Sequence, residues 1–410
     1  MSGGAQRIVV IGAGAAGIGA GLRLAEAEAD FTILEARERI GGRAHSDSRF
    51  PAAFDLGCSW LWQGSRNPWV EHAGRLGFEL VPDGHAPRLM FGGRPAAAKE
   101  TARYHEERAA AFAAVEADRE ERAVSEVVQP AGPFARVLEN SLGPWMMGAE
   151  TSAVSTAEWG GAESRETDLL VPAGLGTLVA TVGRDLPVEL DTPVSAIDWS
   201  DSPIRIETPR GSLLAGKVIV TVPLGVLAAG GIAFTPALPD SVQEALAGLP
   251  MGLLAKLAYA FDADVFGFGA TTHVMDAAAE DQHPLWIAAP YGAPMAMGLY
   301  GGDLAWELEA AGEAAALDWG LDALAGIFGG EIRKRVALAR ASRWGGDPWA
   351  RGSYSVARPG CHSLRGALDA PFDERLFLAG EAWRSQGDAA LVDGAYRSGW
   401  DTAGAALAAP

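Results

Sequence analysis

The sequence predicts an α/β protein of two interleaved domains, each assembled from separated stretches of the chain. Three observations carry this reading. Residues 7–11 form a short β-branched run, a glycine-rich turn opens an alanine-rich helical pattern, and residues 30–36, "DFTILEA", form a second strand. That β–α–β order in the first 36 residues points to a doubly wound nucleotide-binding domain. Short strand candidates at 188–190, 195–199, 204–208 and 218–222, separated by turn-rich segments, read as a small sheet returning to that domain. A late strand at 375–379 and a late helix at 391–407 close it.

The elements between these anchors are weaker signals. Residues 101–127 are rich in Glu, Arg and Ala and read as one or two solvated helices, either an ordinary surface layer or a lid over a channel. Residues 302–329 read as helical, and 236–239 and 348–359 as turns rather than linkers. No internal repeat is visible.

With 410 residues, the chain is too long for one ordinary core and long enough for two. It holds no uninterrupted apolar run of membrane-spanning length. Its N-terminal stretch has no charged segment followed by an apolar one, so no secretory signal is expected. Two cysteines, Cys58 and Cys361, in a chain of this length suit a reducing cytoplasm, and both read as buried free thiols. The net charge of −19 argues against nucleic acid and anionic membranes. It serves solubility and could also steer cationic substrates.

Gly12, Gly14 and Gly17 form G-x-G-x-x-G between the first strand and its helix. The first glycine permits the tight turn, the second lets the backbone approach a pyrophosphate, and the third lets helix pack on strand. Glu35, 18 residues beyond Gly17, is placed to accept hydrogen bonds from a ribose hydroxyl. These residues specify a dinucleotide and leave NAD or FAD open.

"LEARERIGGRA", residues 34–44, resembles the extended fingerprint of the flavin-containing amine oxidase family, with Glu35, Arg37, Gly41, Gly42 and Arg43 matching. "DLGCSW" (55–60, with Gly57) and "NPW" (67–69) resemble the segment that passes the flavin ring. "DTPVSAID" (191–198) and "KVIVTVPLGVL" (217–227) resemble the returning strands, where the counterpart of Val194 contacts the adenine end. "RWGGDPWARGSYS" (343–355) and "LFLAGEAW…LVDGAYRSG" (376–399, with Gly380, Glu381, Leu391 and Val392) resemble the closing motifs. The resemblance implies a Rossmann-type FAD-binding domain, residues 1–80, 175–230 and 340–410, interleaved with an α+β substrate domain, residues 81–174 and 231–339. Arg37 and Arg43 are then expected along the FAD.

"PMGLLAKLAYAF", residues 250–261, buries Lys256 in an apolar run that gives it no polar face. A lysine can snorkel from a strand to water, but this spacing matches the lysine that, in the family, reaches flavin N5 through a water. The implied role of Lys256 is to assist reoxidation and to position water for imine hydrolysis. Trp344 matches a tryptophan close to the flavin, and Tyr354 one wall of an aromatic cage. The opposite wall is Leu391, so the cage is half open. Trp62 stands where several polyamine oxidases carry histidine. Trp62, Tyr354, Trp383 and Leu391 together suggest a bulky apolar substrate pocket. Ser353 stands where monoamine oxidases carry the cysteine that holds FAD, so non-covalent FAD is expected.

The implied reaction is hydride transfer from a small or medium primary or secondary amine to flavin. Imine hydrolysis and reoxidation by oxygen follow, with hydrogen peroxide as product. An L-amino-acid oxidase, an FAD desaturase or dehydrogenase, and a non-catalytic flavoprotein are the alternatives. The expected partners are a small amine and oxygen, with no nucleic acid, membrane or metal, and the chain is expected to be a monomer or homodimer.

Overall fold

The computed structural model describes residues 7–62, 64–83, 87–159, 167–368, 373–384 and 387–410. Residues 1–6, at the start of the stretch read above for a secretory signal, lie outside them.

A five-stranded parallel sheet runs in the order Val188–Glu189, Phe31–Leu34, Ile8–Ile11, Lys217–Val220, Leu376–Leu378. Its central strand, IVVI, is buried at all four positions, as β-branched residues in a sheet covered on both faces should be. Val9 and Ile11 point into one apolar cluster, with Val218, Val220 and Leu378. Ile8 and Val10 point into the opposite one, with Ile33, Ile219 and Phe377.

The second face is covered by two helices, Ala15–Glu26 and Val392–Ala408. They approach closely through glycine. A Cβ at Gly19 would lie 2.2 Å from the Tyr396 carbonyl oxygen, and one at Gly399 1.8 Å from that of Ala16. The N-termini of both helices line one cavity. The first face is covered by a four-stranded sheet, Gly211–Ala215, Ile204–Thr208, Ala196–Asp198 and Ala233–Thr235, and by helix Asp240–Gly248.

A seven-stranded mixed sheet forms the other half, in the order Val336–Ala341, Leu254–Phe261, Met295–Gly301, Leu285–Ala288, Thr272–Asp276, Arg88–Phe91, Arg94–Pro95. Helix Glu313–Phe328 packs against it. The helical stretch expected at 302–329 is two helices, Asp303–Ala311 and Glu313–Phe328, broken at Gly312 with φ +103°, a conformation that favours glycine. Strand Leu254–Phe261 lies second from one edge of this sheet and is buried from Ala255 to Phe261. That placement explains why Lys256 has apolar neighbours on both faces. The 101–127 stretch is one long helix, Ala98–Ala117, and a single turn, Val124–Val127. Among the described residues, no helix is long and apolar enough to cross a membrane.

Candidate active site

One cavity of about 1100 Å³ lies between the parallel sheet and the mixed sheet. That is above the roughly 300–1,000 Å³ of a pocket for one drug-sized ligand. At one end the chain leaves strand Ile8–Ile11 through Gly12, φ +102°, and enters its helix at Gly14. Gly14 caps that helix without a side-chain hydrogen bond, so the first-turn N–H groups remain available to an anion. A Cβ on Gly17 would lie 1.8 Å from the Gly12 carbonyl oxygen. Gly17 is therefore a packing glycine, while Gly12, Gly14 and Gly42 line the cavity.

Glu35 is buried at the end of its strand. Its Oε2 accepts from Ala13 N at 2.7 Å and its Oε1 from Arg37 N at 2.9 Å. Each oxygen keeps a further lone pair for a ribose hydroxyl. Val194 lines the same end. Arg37 donates through both Nη atoms to Asp347, at 2.8 and 2.9 Å, and so pins the loop that carries Trp344 and Tyr354. Arg43 Nη1 donates to the Ser353 carbonyl at 2.8 Å and to Glu381 Oε1 at 3.1 Å. Gly380, Glu381, Leu391 and Val392 complete the wall beside the second helix N-terminus.

At the other end, Lys256 is 4% exposed. Its Nζ donates to the Asp55 carbonyl at 3.1 Å, to the Gly57 carbonyl at 2.5 Å and to Ser59 Oγ at 2.5 Å. It lies 5.2 Å from the centre of the Trp60 ring. Burial lowers this lysine to about 8, with the Asp55 carboxylate and Cys58 opposing the shift. The segment 55–59 is drawn tightly across the cavity floor. A Cβ on Gly57 would lie 1.7 Å from the Arg43 carbonyl oxygen and 3.3 Å from the Trp344 ring. Trp344 Nε1 donates to the Leu56 carbonyl at 2.8 Å, and Tyr354 OH to that of Met146 at 2.8 Å. Trp62, Trp344, Tyr354 and Leu391 all line the cavity.

Trp383 is a correction. It was expected on the pocket wall but packs, 7% exposed, into the apolar cluster of Val194, Leu378 and Ala382. The turn after strand Leu376–Leu378, closed by Trp383 N to the Gly380 carbonyl at 3.3 Å, sends the ring inward.

Several site residues escaped the sequence reading. The Asp55 carboxylate accepts from Ser46 Oγ at 2.5 Å and from the first amides of helix Leu175–Gly183, Leu175 N at 3.0 Å and Gly176 N at 3.2 Å. Burial raises its carboxyl above the usual range despite these bonds and Lys256. Asp83 accepts from Trp60 Nε1 at 2.6 Å and faces His273 at 3.1 Å. Asp168 is raised to about 6, by burial and then by the nearby Asp83. All four of these last residues line the cavity. Asp55 stood within the quoted "DLGCSW" motif. Asp83 and Asp168 carried no local signal, because only the three-stranded sheet Trp60–Leu61, Leu169–Leu170 and Val81–Pro82 assembles them. Among the described residues, no cluster of His, Cys, Asp and Glu is suited to a metal.

A glycine cradle at a helix N-terminus, an acid at the second strand and a buried lysine across the same cavity define a dinucleotide-dependent oxidoreductase. The chain matches the family described as flavin containing amine oxidoreductase over residues 136–407, and a NAD(P)-binding Rossmann-like domain over residues 10–73. It belongs to that amine oxidoreductase family and is a flavin-dependent enzyme acting on amines. It is 27% identical to polyamine oxidase 2 of Arabidopsis thaliana over 96% of this chain and 86% of that one. It is 29% identical to lysine-specific histone demethylase 1 homolog 1 of Oryza sativa subsp. japonica, over 96% of this chain and 51% of that one. The fold is shared with cyclohexylamine oxidase from Brevibacterium oxydans, at a TM-score of 0.79, 21% identity and 98% and 99% coverage. It is also shared with putrescine oxidase bound to putrescine, at 0.76, 17% and the same coverage.

Proposed function

We propose that this protein is an oxidase of a small or medium primary or secondary amine, with non-covalently held FAD. The observation that carries the proposal is the buried Lys256 ammonium, fixed by three acceptors on segment 55–59, in the cavity that also holds the glycine cradle. FAD bound there would supply the acceptor for a hydride from the amine α-carbon, with oxygen as the terminal oxidant and hydrogen peroxide as product. Gly12, Gly14, Glu35, Arg37, Gly42, Arg43, Gly57, Val194, Gly380, Glu381, Leu391 and Val392 hold it, in a cofactor unit of residues 1–80, 175–230 and 340–410. Residues 81–174 and 231–339 supply the substrate side. Ser353 Oγ accepts from Leu254 N at 2.8 Å and donates to the Gly252 carbonyl at 3.0 Å, and a hydroxyl there supports the non-covalent reading.

Trp62, Trp344, Tyr354 and Leu391 give the substrate an apolar wall that favours the neutral amine. Lys256 Nζ holds a proton at the floor and orients water by sharing one of its three N–H groups. Water then adds to the imine to give the carbonyl compound and ammonia, or a primary amine where the substrate is a secondary amine. A second reading, a diamine or polyamine, is favoured by Asp83 and Asp168 on the cavity wall, which could hold a distal ammonium.

The test is flavin absorbance under anaerobic conditions with aryl-alkyl amines, alicyclic amines, polyamines and L-amino acids. Bleaching by an aryl-alkyl or alicyclic amine supports the first reading, and bleaching by polyamines alone the second. Bleaching only by L-amino acids, or by nothing in FAD-loaded protein, overturns both.

A further inference from the structure

Arg365 has no exposed side-chain surface, and a buried guanidinium needs a full set of partners. It sits in the short helix His362–Gly366. Nε and Nη2 donate to the two Glu158 oxygens at 2.9 and 2.6 Å. Nη1 donates to Ser355 Oγ at 2.9 Å and to the Ala382 carbonyl at 3.2 Å, and Nη2 also to the Ser355 carbonyl at 3.3 Å.

Both ends of this set reach the cavity. Glu158, on the short helix Thr156–Trp159, lines it. Burial opposes ionisation of Glu158, but Arg365 and His362 outweigh it and hold the carboxyl at about 2. At the other end, Ser355 Oγ donates to Glu381 Oε2 at 2.6 Å and Ser355 N to Glu381 Oε1 at 3.1 Å. Arg43 meets Glu381 Oε1 from the cavity side. The result is a row of alternating charge, Glu158, Arg365, Glu381 and Arg43, with Ser355 as the hinge between its halves.

We infer that Arg365 is a positioning residue for the cofactor cradle, fixing the Glu381 carboxylate through Ser355 and tying it to Glu158 on the cavity wall. The geometry supports it over a purely structural role. Glu158 and two carbonyls take four of the five Arg365 N–H groups, and the fifth goes to Ser355 Oγ. What that bond does is set the Ser355 hydroxyl rotor toward Glu381, because an oxygen that accepts from Arg365 must donate elsewhere. The inference rests on the proposal that Glu381 touches bound FAD.

The test is the FAD dissociation constant, from flavin fluorescence released on serial dilution of the holoenzyme, alongside the urea unfolding midpoint. The variants are Ser355→Ala, Arg365→Lys, Glu381→Gln and the double variant Ser355→Ala/Glu381→Gln. Ser355→Ala leaves Arg365 paired with Glu158, so it is the variant expected to fold regardless. We expect Ser355→Ala and Arg365→Lys to weaken FAD binding about tenfold, the order of one charge-assisted hydrogen bond. Glu381→Gln should weaken it at least as much, and the double variant no more than Glu381→Gln alone, since the two act in series. Normal FAD affinity in Ser355→Ala, with Glu381→Gln weakened, overturns the positioning role while leaving the cradle reading intact. So does a lowered unfolding midpoint with unchanged affinity. Normal affinity in Glu381→Gln removes Glu381 from the cradle and the inference with it.

Discussion

Lys256 shows how a single residue can be burdened by the fold and useful to the chemistry. Burial lowers it to about 8 from an ordinary 10.5. Between those values the unfolded chain keeps the proton that the native protein has released. Lys256 therefore adds stability as pH rises through that window, and its full cost is present below about 8. The parent should gain stability from pH 8 to 10 relative to Lys256→Met, read by urea unfolding at each pH. The chemical prediction is independent of this. Lys256→Met should retain FAD and anaerobic reduction by amine, yet slow reoxidation by oxygen by roughly a hundredfold, the order of one positioned proton donor. Stopped-flow mixing of reduced enzyme with oxygen measures it. Unchanged reoxidation with lost FAD would contradict the proposed role.

At this scale the sequence was informative where chemistry is written locally. The lysine stood out because nothing beside it could solvate it, and the glycines because their spacing carries the turn. Its acceptors, the carbonyls of Asp55 and Gly57 and the hydroxyl of Ser59, lie about 200 positions away. No local pattern could assign them. Trp383 failed for the opposite reason: residue type suggests a pocket wall, whereas one turn geometry decides which way the ring points.

Among the elements, the glycine turn separates two demands that the motif merges. A methyl on Gly17 meets the Gly12 carbonyl at 1.8 Å, and backbone on both sides cannot yield. A methyl on Gly14 meets only the Gly42 Cα, at 3.9 Å, and Gly14 has φ −77°, open to any residue. Gly17→Ala should therefore destabilise the fold by about 1–3 kcal/mol or more, seen as a lower unfolding midpoint with or without FAD. Gly14→Ala should leave the FAD-free fold stable but weaken FAD binding, because its methyl projects where the pyrophosphate would lie. Equal effects of the two on stability would disprove this division. The β–α–β unit was legible because its strand, turn and helix adjoin in sequence. The mixed sheet was not: strand Leu254–Phe261 is buried on both faces and lacks the period-two alternation that marks a half-solvated strand.

The whole molecule brings two sheets from interleaved segments against one cavity and surrounds it with a net charge of −19. Charges of both signs reach the cavity itself, Glu35, Asp83, Glu116, Asp118, Glu121, Glu158, Asp168 and Glu381 against Arg37, Arg43, Arg66, Arg108, Arg119, Arg384 and Lys256, so a long-range pull on cations comes from the net charge of the whole surface. If that field draws amines in, the effect must act on the cationic amine in bulk water and not on neutral oxygen. Raising salt shortens the Debye length from about 30 Å at 0.01 M to about 8 Å at 0.15 M, which removes long-range attraction and leaves buried contacts nearly intact. We expect the second-order rate of anaerobic flavin reduction at low amine concentration to fall several-fold over that range. Reoxidation by oxygen should stay constant in the same protein. The comparison is internal, since both steps use one cavity and differ in the charge of the entering molecule. A reduction rate that ignores salt would assign the acidic surface to solubility alone and leave entry of the amine to the shape of the cavity. A fall in both rates together would point to salt acting on the protein rather than on the encounter.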